Sequence, residues 1–293
     1  MTKNAPTIRP MTFADMQQTI AWAKEEGWNP GLHDAEIFYP SDPDGCLVLE
    51  RDIENGAEKE MIGSGVIASY GGKFGFMGLF IIRKDLRRAG IGNEFWHQRL
   101  ERLKARLEPG ACIGMDGVFA MQHYYARGGF VFSHRNLRMA STGAKHSFDK
   151  DHIETITLEN LPAILDVDKL CFGFERLQFL KSLIDKPDSH TLMYKSDSEC
   201  VGYGNIRRCI EGWKIGPLFA KSPEIAEQLF IALSQNAIGE PVYLDVPEYN
   251  TEAMSLAAKY KMQEMFGCAR MYYGGRPVLA DNDVYGITTF EMG

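Results

Sequence analysis

The chain has 293 residues, enough at ~150 residues per domain for about two domains, each with its own core. It is 45% hydrophobic, 24% charged and 11% aromatic, an ordinary globular composition, and 39 acidic against 32 basic residues leave a net charge of -7. That balance argues against broad attraction to nucleic acid or anionic lipid, and the longest strongly apolar run, near residues 74–82, is about half the ~20 residues that cross a bilayer.

The opening Met1-Thr2-Lys3-Asn4-Ala5-Pro6 leads into no apolar leader core, so the expectation is a soluble, cytoplasmic protein. Six scattered cysteines without a CxxC predict reduced thiols rather than a disulfide framework. The seven histidines form no HExxH and no Cys/His cluster, so no metal is expected.

In chain order, Ile8 to Met11 reads as a strand, and Thr12 with Asp15 has the spacing of a capping box before a helix carrying Met16, Ile20 and Ala23. Gly27 stops it. Asp42-Pro43-Asp44-Gly45 is a turn ahead of a strand from Cys46. Strands over 60–70 and 73–83 meet at Gly71-Gly72, a hairpin signal. A helix over 91–107 follows, with Trp96, Leu100, Leu103 and Leu107 on one face, and Pro109-Gly110 ends it. A strand over 111–115, a short helix over 119–127 and a strand over 130–139 complete this half.

At Ile153 the pattern restarts: a strand over 153–156, Thr157 as cap, then Leu158, Leu161 and Leu165 as a helical stripe. Residues 141–146 are small and polar and read as a linker. The expectation is an α/β (α+β) protein of two related domains, 1–145 and 146–293, each a twisted, mixed but mostly antiparallel sheet flanked by helices.

One segment carries chemistry. Phe80-Ile81-Ile82 ends an apolar strand, and Arg87-Arg88-Ala89-Gly90-Ile91-Gly92-Asn93 joins it to the long helix. Glycines at a helix start let backbone approach an anion, and the open N–H groups of the first turn can bind it. Arg83, Lys84, Arg87 and Arg88 crowd the same loop, so a phosphate-bearing ligand fits, although a solvated basic turn is the plainer alternative. A dinucleotide fingerprint would need glycine where Phe95 stands, and the Walker Gly-Lys-Ser/Thr is missing.

The segment resembles the Arg/Gln-x-x-Gly-x-Gly/Ala signature of the GNAT superfamily of N-acetyltransferases, placed as in that family between an apolar strand and a long helix. Tyr125-Ala126-Arg127-Gly128-Gly129-Phe130 matches the family's Tyr-x-x-x-Gly-Phe downstream, so the resemblance covers most of residues 7–140. It implies acetyl-CoA as cosubstrate and no metal. Backbone of Phe80, Ile81 and Ile82 would pair with the pantetheine arm, and Arg87 with the N–H groups of Arg88, Ala89, Gly90, Ile91, Gly92 and Asn93 would hold the pyrophosphate. Tyr125 matches the tyrosine that protonates the departing thiolate, with adjacent Tyr124 as competitor and plain packing of the ring as the other reading. Val118 and Met121 depart from the family's Asn and Ala before that tyrosine.

A base is harder to name, because residues 73–82 contain no carboxylate. Asp116, Glu26 and His123 are candidates, each equally readable as a capping, solvated or packing group. The Gly27-Trp28-Asn29-Pro30-Gly31 loop is similar to one in a subgroup of two-part acetyltransferases, and Trp28 and Asn29 are expected to contact the acceptor or to pin a turn.

The second half keeps the shape and loses the loop. Gly212 to Phe219 resembles the hairpin strand and Ser222-Pro223 opens a helix, but Lys221 to Ala226 replaces the glycine loop, with Pro223 removing a donor and Glu224 adding negative charge. Asn250 to Leu256 is similar to the family's Asn-x-x-Ala-x-x-Leu, yet Ala257 stands at the tyrosine position. The expected second domain is a divergent GNAT-like unit, with residues 172–176 facing the first.

The expected activity is acetyl transfer from acetyl-CoA to a primary amine of a small molecule or peptide, by direct attack in a ternary complex in the first domain. The rival is a non-catalytic acyl-CoA-binding or regulatory protein on the same fold. No nucleic-acid or membrane partner is expected, and a homodimer is left open.

Overall fold

A computed structural model describes residues 5–53 and 58–293. Of the opening residues read above for a leader, the first four lie outside them. Thr7–Pro10 (β1) precedes Phe13–Glu25 (α1), whose start is closed reciprocally: Thr12 N–H donates to Asp15 Oδ2 at 2.7 Å, and Asp15 N–H to Thr12 Oγ1 at 3.2 Å. Asp34–Ser41 (α2) has no counterpart in the sequence reading. It is short and carries Pro40, which masks its periodicity, yet it buries Ile37 and Phe38 and stacks Phe38 on Phe179 at 6.5 Å.

Cys46–Asp52 (β2), Lys59–Tyr70 (β3) and Phe74–Ile82 (β4) form the expected antiparallel meander. Gly71 and Gly72 turn the hairpin with φ of +60° and +74°. Ile91–Lys104 (α3), Cys112–Val118 (β5), Gln122–Arg127 (α4) and Val131–Thr142 (β6) finish the half. Ile153–Ile156 (β7), Leu165–Phe172 (α5), Leu177–Ile184 (α6), Ser189–Ser196 (β8), Glu199–Arg208 (β9), Trp213–Ala220 (β10), Pro223–Ser234 (α7), Pro241–Pro247 (β11), Thr251–Lys259 (α8) and Gln263–Tyr273 (β12) repeat that order element for element. Val284–Gly286 (β13) is an addition.

Two local expectations need correction. The stripe from Leu158 does not form: Asn160 Oδ1 takes the Thr157 N–H at 2.7 Å, a 3-10 turn spans Leu161–Ile164, and Leu158 is left exposed. The residues read as a linker are partly strand, since β6 runs to Thr142 and Gly143 bridges Ile238.

All strands join one mixed, largely antiparallel sheet in the order β1-β2-β3-β4-β5-β12-β6-β11-β10-β9-β8-β7, with β13 on β10. The last strands of the two halves are therefore exchanged: β12 lies between β5 and β6, and β6 lies between β12 and β11. Among the described strands only β4–β5 and β10–β11 pair in parallel, and both pairings are short. Phe74, Gly75 and Phe76 face Cys112, Ile113 and Gly114, after which the strands part. Trp213, Lys214 and Ile215 face Val242, Tyr243 and Leu244 before the second parting.

The second gap is filled by the chain itself. β13 pairs with Leu218 and Phe219 of β10, and Ile287 N–H donates to Asp245 O at 2.9 Å. The final residues then run to the first gap, where Tyr70 Oη donates to Met292 O at 2.5 Å. Residues 172–176 pack rather than frame an open cleft: Phe174 stacks on Phe74 at 4.6 Å, and Arg176 is buried against Asp168 at 2.6 Å.

Candidate functional site

The first parting opens a cleft of about 550 Å³, within the usual range of small-molecule sites. β4 contributes Met77, Gly78, Phe80, Ile81 and Ile82, and β5 contributes Met115, Asp116, Gly117 and Val118. Arg87, Arg88, Gly90, Gly92 and Asn93 line one end, with Tyr124 and Tyr125 on α4. Most of the expected site residues are thus brought into one space.

The glycine loop has the geometry of an anion cradle. Arg88 and Gly90 take left-handed φ of +67° and +83°, which turns the chain sharply into α3. No side chain caps α3, so the N–H groups of Ile91 and Gly92 stay open, whereas Asn93 N–H, expected above to hold the pyrophosphate, is spent on Gly90 O at 3.0 Å. A Cβ on Gly90 would meet nothing within 4 Å, whereas one on Gly92 would stand 3.2 Å from Ile82 Cγ1. Gly90 therefore leaves room and Gly92 lets helix and strand approach. The loop is less cationic than its composition, because Arg83 pairs with Glu60 and Asp85, and Arg87 with Glu26 at 2.7 Å. Arg88 has no ion-pair partner among the described residues.

β4 is bulged inside the cleft. Its pairing with β3 shifts between Ser64 and Val66, and Leu79 has φ +48°. Arg99, fully buried on α3, holds the irregularity by donating from NH2 to Val66 O at 2.7 Å and Gly78 O at 2.9 Å. Sequence reading missed Arg99, which stands among apolar stripe positions.

Tyr125 is buried, with its ring 6.1 Å from Trp96 and packed on Gly117, where a Cβ would lie 2.5 Å from Cε2. Burial pushes its phenol up to about 12, with Cys268 and Tyr124 adding to the shift and Arg99 opposing it. Tyr124 is half-exposed and donates to Asn93 Oδ1 at 2.9 Å, which ties it to the glycine loop.

Trp28 reaches the cleft, and its carbonyl is held by Arg138 NH1 at 2.7 Å. Asn29 does not line it: its side chain makes two 2.9 Å hydrogen bonds with the Glu211 backbone, which fastens the loop to the second half. Asp116 is present but engaged, taking Arg270 NH2 at 2.6 Å on Oδ2 and Asn136 Nδ2 at 2.8 Å on Oδ1. Burial alone would raise the Glu26 carboxyl, but the hydrogen bonds and charges of Arg87 and Lys84 outweigh it and hold it below the usual range. His123 is exposed on α4 and does not line the cleft.

Sequence reading missed one wall entirely. Phe266 and Cys268 come from β12, and Phe290 and Glu291 from the final segment, all in the second half of the chain. Phe290 is fixed by the Arg138 guanidinium, 4.9 Å from its ring centre, and by Phe266 at 5.8 Å. Burial holds the Cys268 thiol far above its ordinary value, so it stays protonated and a poor nucleophile. The only local signal for this wall was the clustering of Phe and Glu in an otherwise unassigned end.

Among the described residues no cluster of His, Cys, Asp and Glu could hold a metal ion, and no helix is long and apolar enough to cross a membrane.

Residues 164–286 match the family model for an acetyltransferase (GNAT) domain. A holothin acyltransferase of Pseudoalteromonas sp. (strain SANK 73390) is 24% identical over 288 residues, 98% of this chain and 94% of the relative. The crystal structure of a Pyrococcus horikoshii protein assigned as an acetyltransferase shares the fold over 100% of this chain and 98% of its own, with a TM-score of 0.82 and 23% identity. A tandem GNAT protein of the clavulanic acid biosynthesis pathway overlays on 93% of this chain and 100% of its own, at a TM-score of 0.60 and 9% identity.

Proposed function

Because the chain belongs to the GNAT superfamily of acyltransferases, with a divergent second GNAT domain, we propose that it transfers the acetyl group of acetyl-CoA to a primary amine in the cleft between β4 and β5. The observation that carries this reading is the parting of those strands between the α3 glycine loop and Tyr125. By chain order we assign 1–145 to the catalytic domain and 146–293 to its partner, which lends β12 and the final segment to the cleft wall.

Bound acyl-CoA supplies the activated thioester. The open amides of Ile91 and Gly92, with Arg88, suit its pyrophosphate, and the edge of β4 over Phe80, Ile81 and Ile82, which β5 leaves unpaired, suits the amides of its arm. The bulge at Leu79 breaks the β3–β4 ladder inside the cleft, where strand N–H groups would polarise the thioester carbonyl. Tyr125 keeps its proton at neutral pH and can give it to the departing sulfur, whose basicity rises in the same dry surroundings. Cys268 remains a protonated thiol, which favours direct attack over a cysteine-bound acyl group.

The matching gap between β10 and β11 in the second half is filled by β13 and the residues after it. The name of the Pseudoalteromonas relative supports acyl transfer and nominates holothin as one acceptor. The test is thiol release from acetyl-CoA against holothin, an aminoglycoside, a polyamine, an amino acid and a peptide with a free N-terminus. Acceptor-dependent release that falls at least tenfold in Tyr125→Phe supports the reading. Tight acetyl-CoA binding with no release for any amine favours a binding protein instead. Gly90→Glu is expected to abolish acetyl-CoA binding, and unchanged binding would remove the first-half site.

A further inference from the structure

We propose that Glu291 is the general base of this site, taking the proton of the acceptor ammonium inside the gap between β4 and β5. The proposal rests on the acyl-transfer reading above and names the group that residues 73–82 do not provide.

Three carboxylates line the cleft: Glu26, Asp116 and Glu291. The first two are committed. Glu26 is paired with Arg87 and Lys84, and Asp116 with Arg270 and Asn136. Glu291 makes no ion pair among the described residues, it is 5% exposed, and its Oε2 is buried with no hydrogen-bond partner. An orphaned buried oxygen is costly and needs an explanation. Oε1 is not sealed in this way, and through it the carboxylate can meet an ammonium in the cleft, which would give the group the partner it lacks.

The position of Glu291 is built in. Its own N–H and that of Met292 donate to Thr289 Oγ1 at 3.2 and 2.8 Å, and Phe290 before it is clamped by Arg138 and Phe266. Its backbone passes directly over Gly78, beside the β4 bulge. A base placed there stands where the two strands part and the thioester is expected.

The charged and titratable groups facing Glu291 are Lys214 on β10, Asp34 on α2, Arg138 on β6, Arg207 on β9 and Cys268 on β12. Burial pushes the Glu291 carboxyl above its ordinary range and Asp34 adds to this, while Lys214, Arg138 and Arg207 pull it down. Arg138 is spent on Asp245, Lys214 donates to Asn29 O at 3.2 Å, and Arg207 uses Nε on Asp34 at 3.0 Å. A carboxylate so raised, and not neutralised by a direct partner, is a stronger base than an ordinary one and suits a proton-accepting role. Arg207 NH1 and NH2 also lack partners, and they define the competing role, a buried structural ion pair with Glu291.

In the step, one N–H proton of the ammonium passes to the Glu291 carboxylate. The freed lone pair forms the N–C bond, the C–S bond breaks and its electron pair leaves with sulfur. Sulfur takes a proton from Tyr125 Oη, the second N–H proton restores the phenol, and Glu291 returns its own to solvent. Ammonium and thioester become amide, thiol and one released proton.

The experiment compares wild type, Glu291→Gln and Glu291→Asp, using acetyl-CoA and the amine panel above. Glu291→Gln is expected to bind acetyl-CoA within threefold of wild type and to lose acceptor-dependent thiol release about 100-fold at pH 7. The deficit should narrow as pH rises to 9.5, because solvent then supplies more free amine, and Glu291→Asp should recover part of the rate. A 13C-carboxyl titration, with the Glu291 signal assigned by its absence in Glu291→Gln, should give a midpoint above the ordinary value of about 4.3. Turnover in Glu291→Gln within threefold of wild type, a deficit constant with pH, or a midpoint below that value would overturn the proposal in favour of the Arg207 pair. A wild type that binds acetyl-CoA and releases no thiol with any amine would instead remove the acyl-transfer reading itself.

Discussion

Gly78 and Glu291, in opposite halves of the chain, are in backbone contact: a Cβ built on Gly78 would overlap the Glu291 carbonyl. Gly216 on β10 stands in the same relation to Thr288, whose carbonyl its Cβ would meet at 2.6 Å. One short segment thus crosses the parting of both parallel strand pairs and requires a glycine at each crossing.

Gly78→Ala is expected to destabilise the protein by about 1–3 kcal/mol, the usual cost of forcing an extra carbon into a packed position. The neighbour is backbone rather than a flexible side-chain tip, so relief must come from moving Phe290 and Glu291. Chemical denaturation measures the loss, and unchanged stability would mean that the final segment can shift away from Gly78 at no cost.

What was legible in the sequence was local. The Thr12–Asp15 box, the Gly71-Gly72 hairpin and the Gly90 loop each depend on residues a few positions apart, and the structure has all three. The wall made by Phe266, Cys268, Phe290 and Glu291 depends on an exchange of strands between halves, and no periodicity within either half encodes it. Asp116 illustrates the same limit: its residue type suggested a base, but its availability is decided by Arg270, distant in sequence. Helix α2 was hidden by Pro40, and the Leu158 stripe was overridden by the bond from Thr157 to Asn160.

Gly117→Ala should separate chemistry from binding. The new methyl would press on the Tyr125 ring, which is stacked with Trp96, and move the phenol out of line. Misplacement of a reacting group by about 1 Å costs roughly 100-fold. The expected result is a fall of roughly 10- to 100-fold in acceptor-dependent thiol release, with the acetyl-CoA dissociation constant within threefold of wild type. Calorimetry and a thiol assay on the same preparation check it.

His134 makes the fold sensitive to mild acid. Burial lowers its imidazole from 6.5 to about 3, and the charges of Arg270 and Arg276 act in the same direction. The unfolded chain therefore binds a proton near pH 6.5 that the folded chain refuses until about pH 3. Its contribution is intact above pH 6.5 and is lost as pH falls toward 3. Between pH 7.5 and 5 the loss is on the order of 2 kcal/mol. Melting curves of wild type and His134→Gln over that interval should converge at the acid end. Parallel curves would place the sensitivity elsewhere.

Arg138 joins the buried charge network to the cleft. Its guanidinium makes two hydrogen bonds to Asp245, at 2.7 and 2.8 Å, and a third to Trp28 O at 2.7 Å. Arg138→Ala leaves the Asp245 carboxylate buried without its cation, a change that typically costs about 3–5 kcal/mol. It also frees the Trp28 loop and removes the cation from above the Phe290 ring. Arg138→Met combined with Asp245→Leu removes both charges and should recover much of the stability, because neither member of the pair is left buried alone. The loop contact with Trp28 would still be missing from the double variant. Restored stability with a raised KM for the acceptor and unchanged acetyl-CoA binding would assign Arg138 to the amine side of the cleft. Restored stability with wild-type kinetics would confine it to the fold.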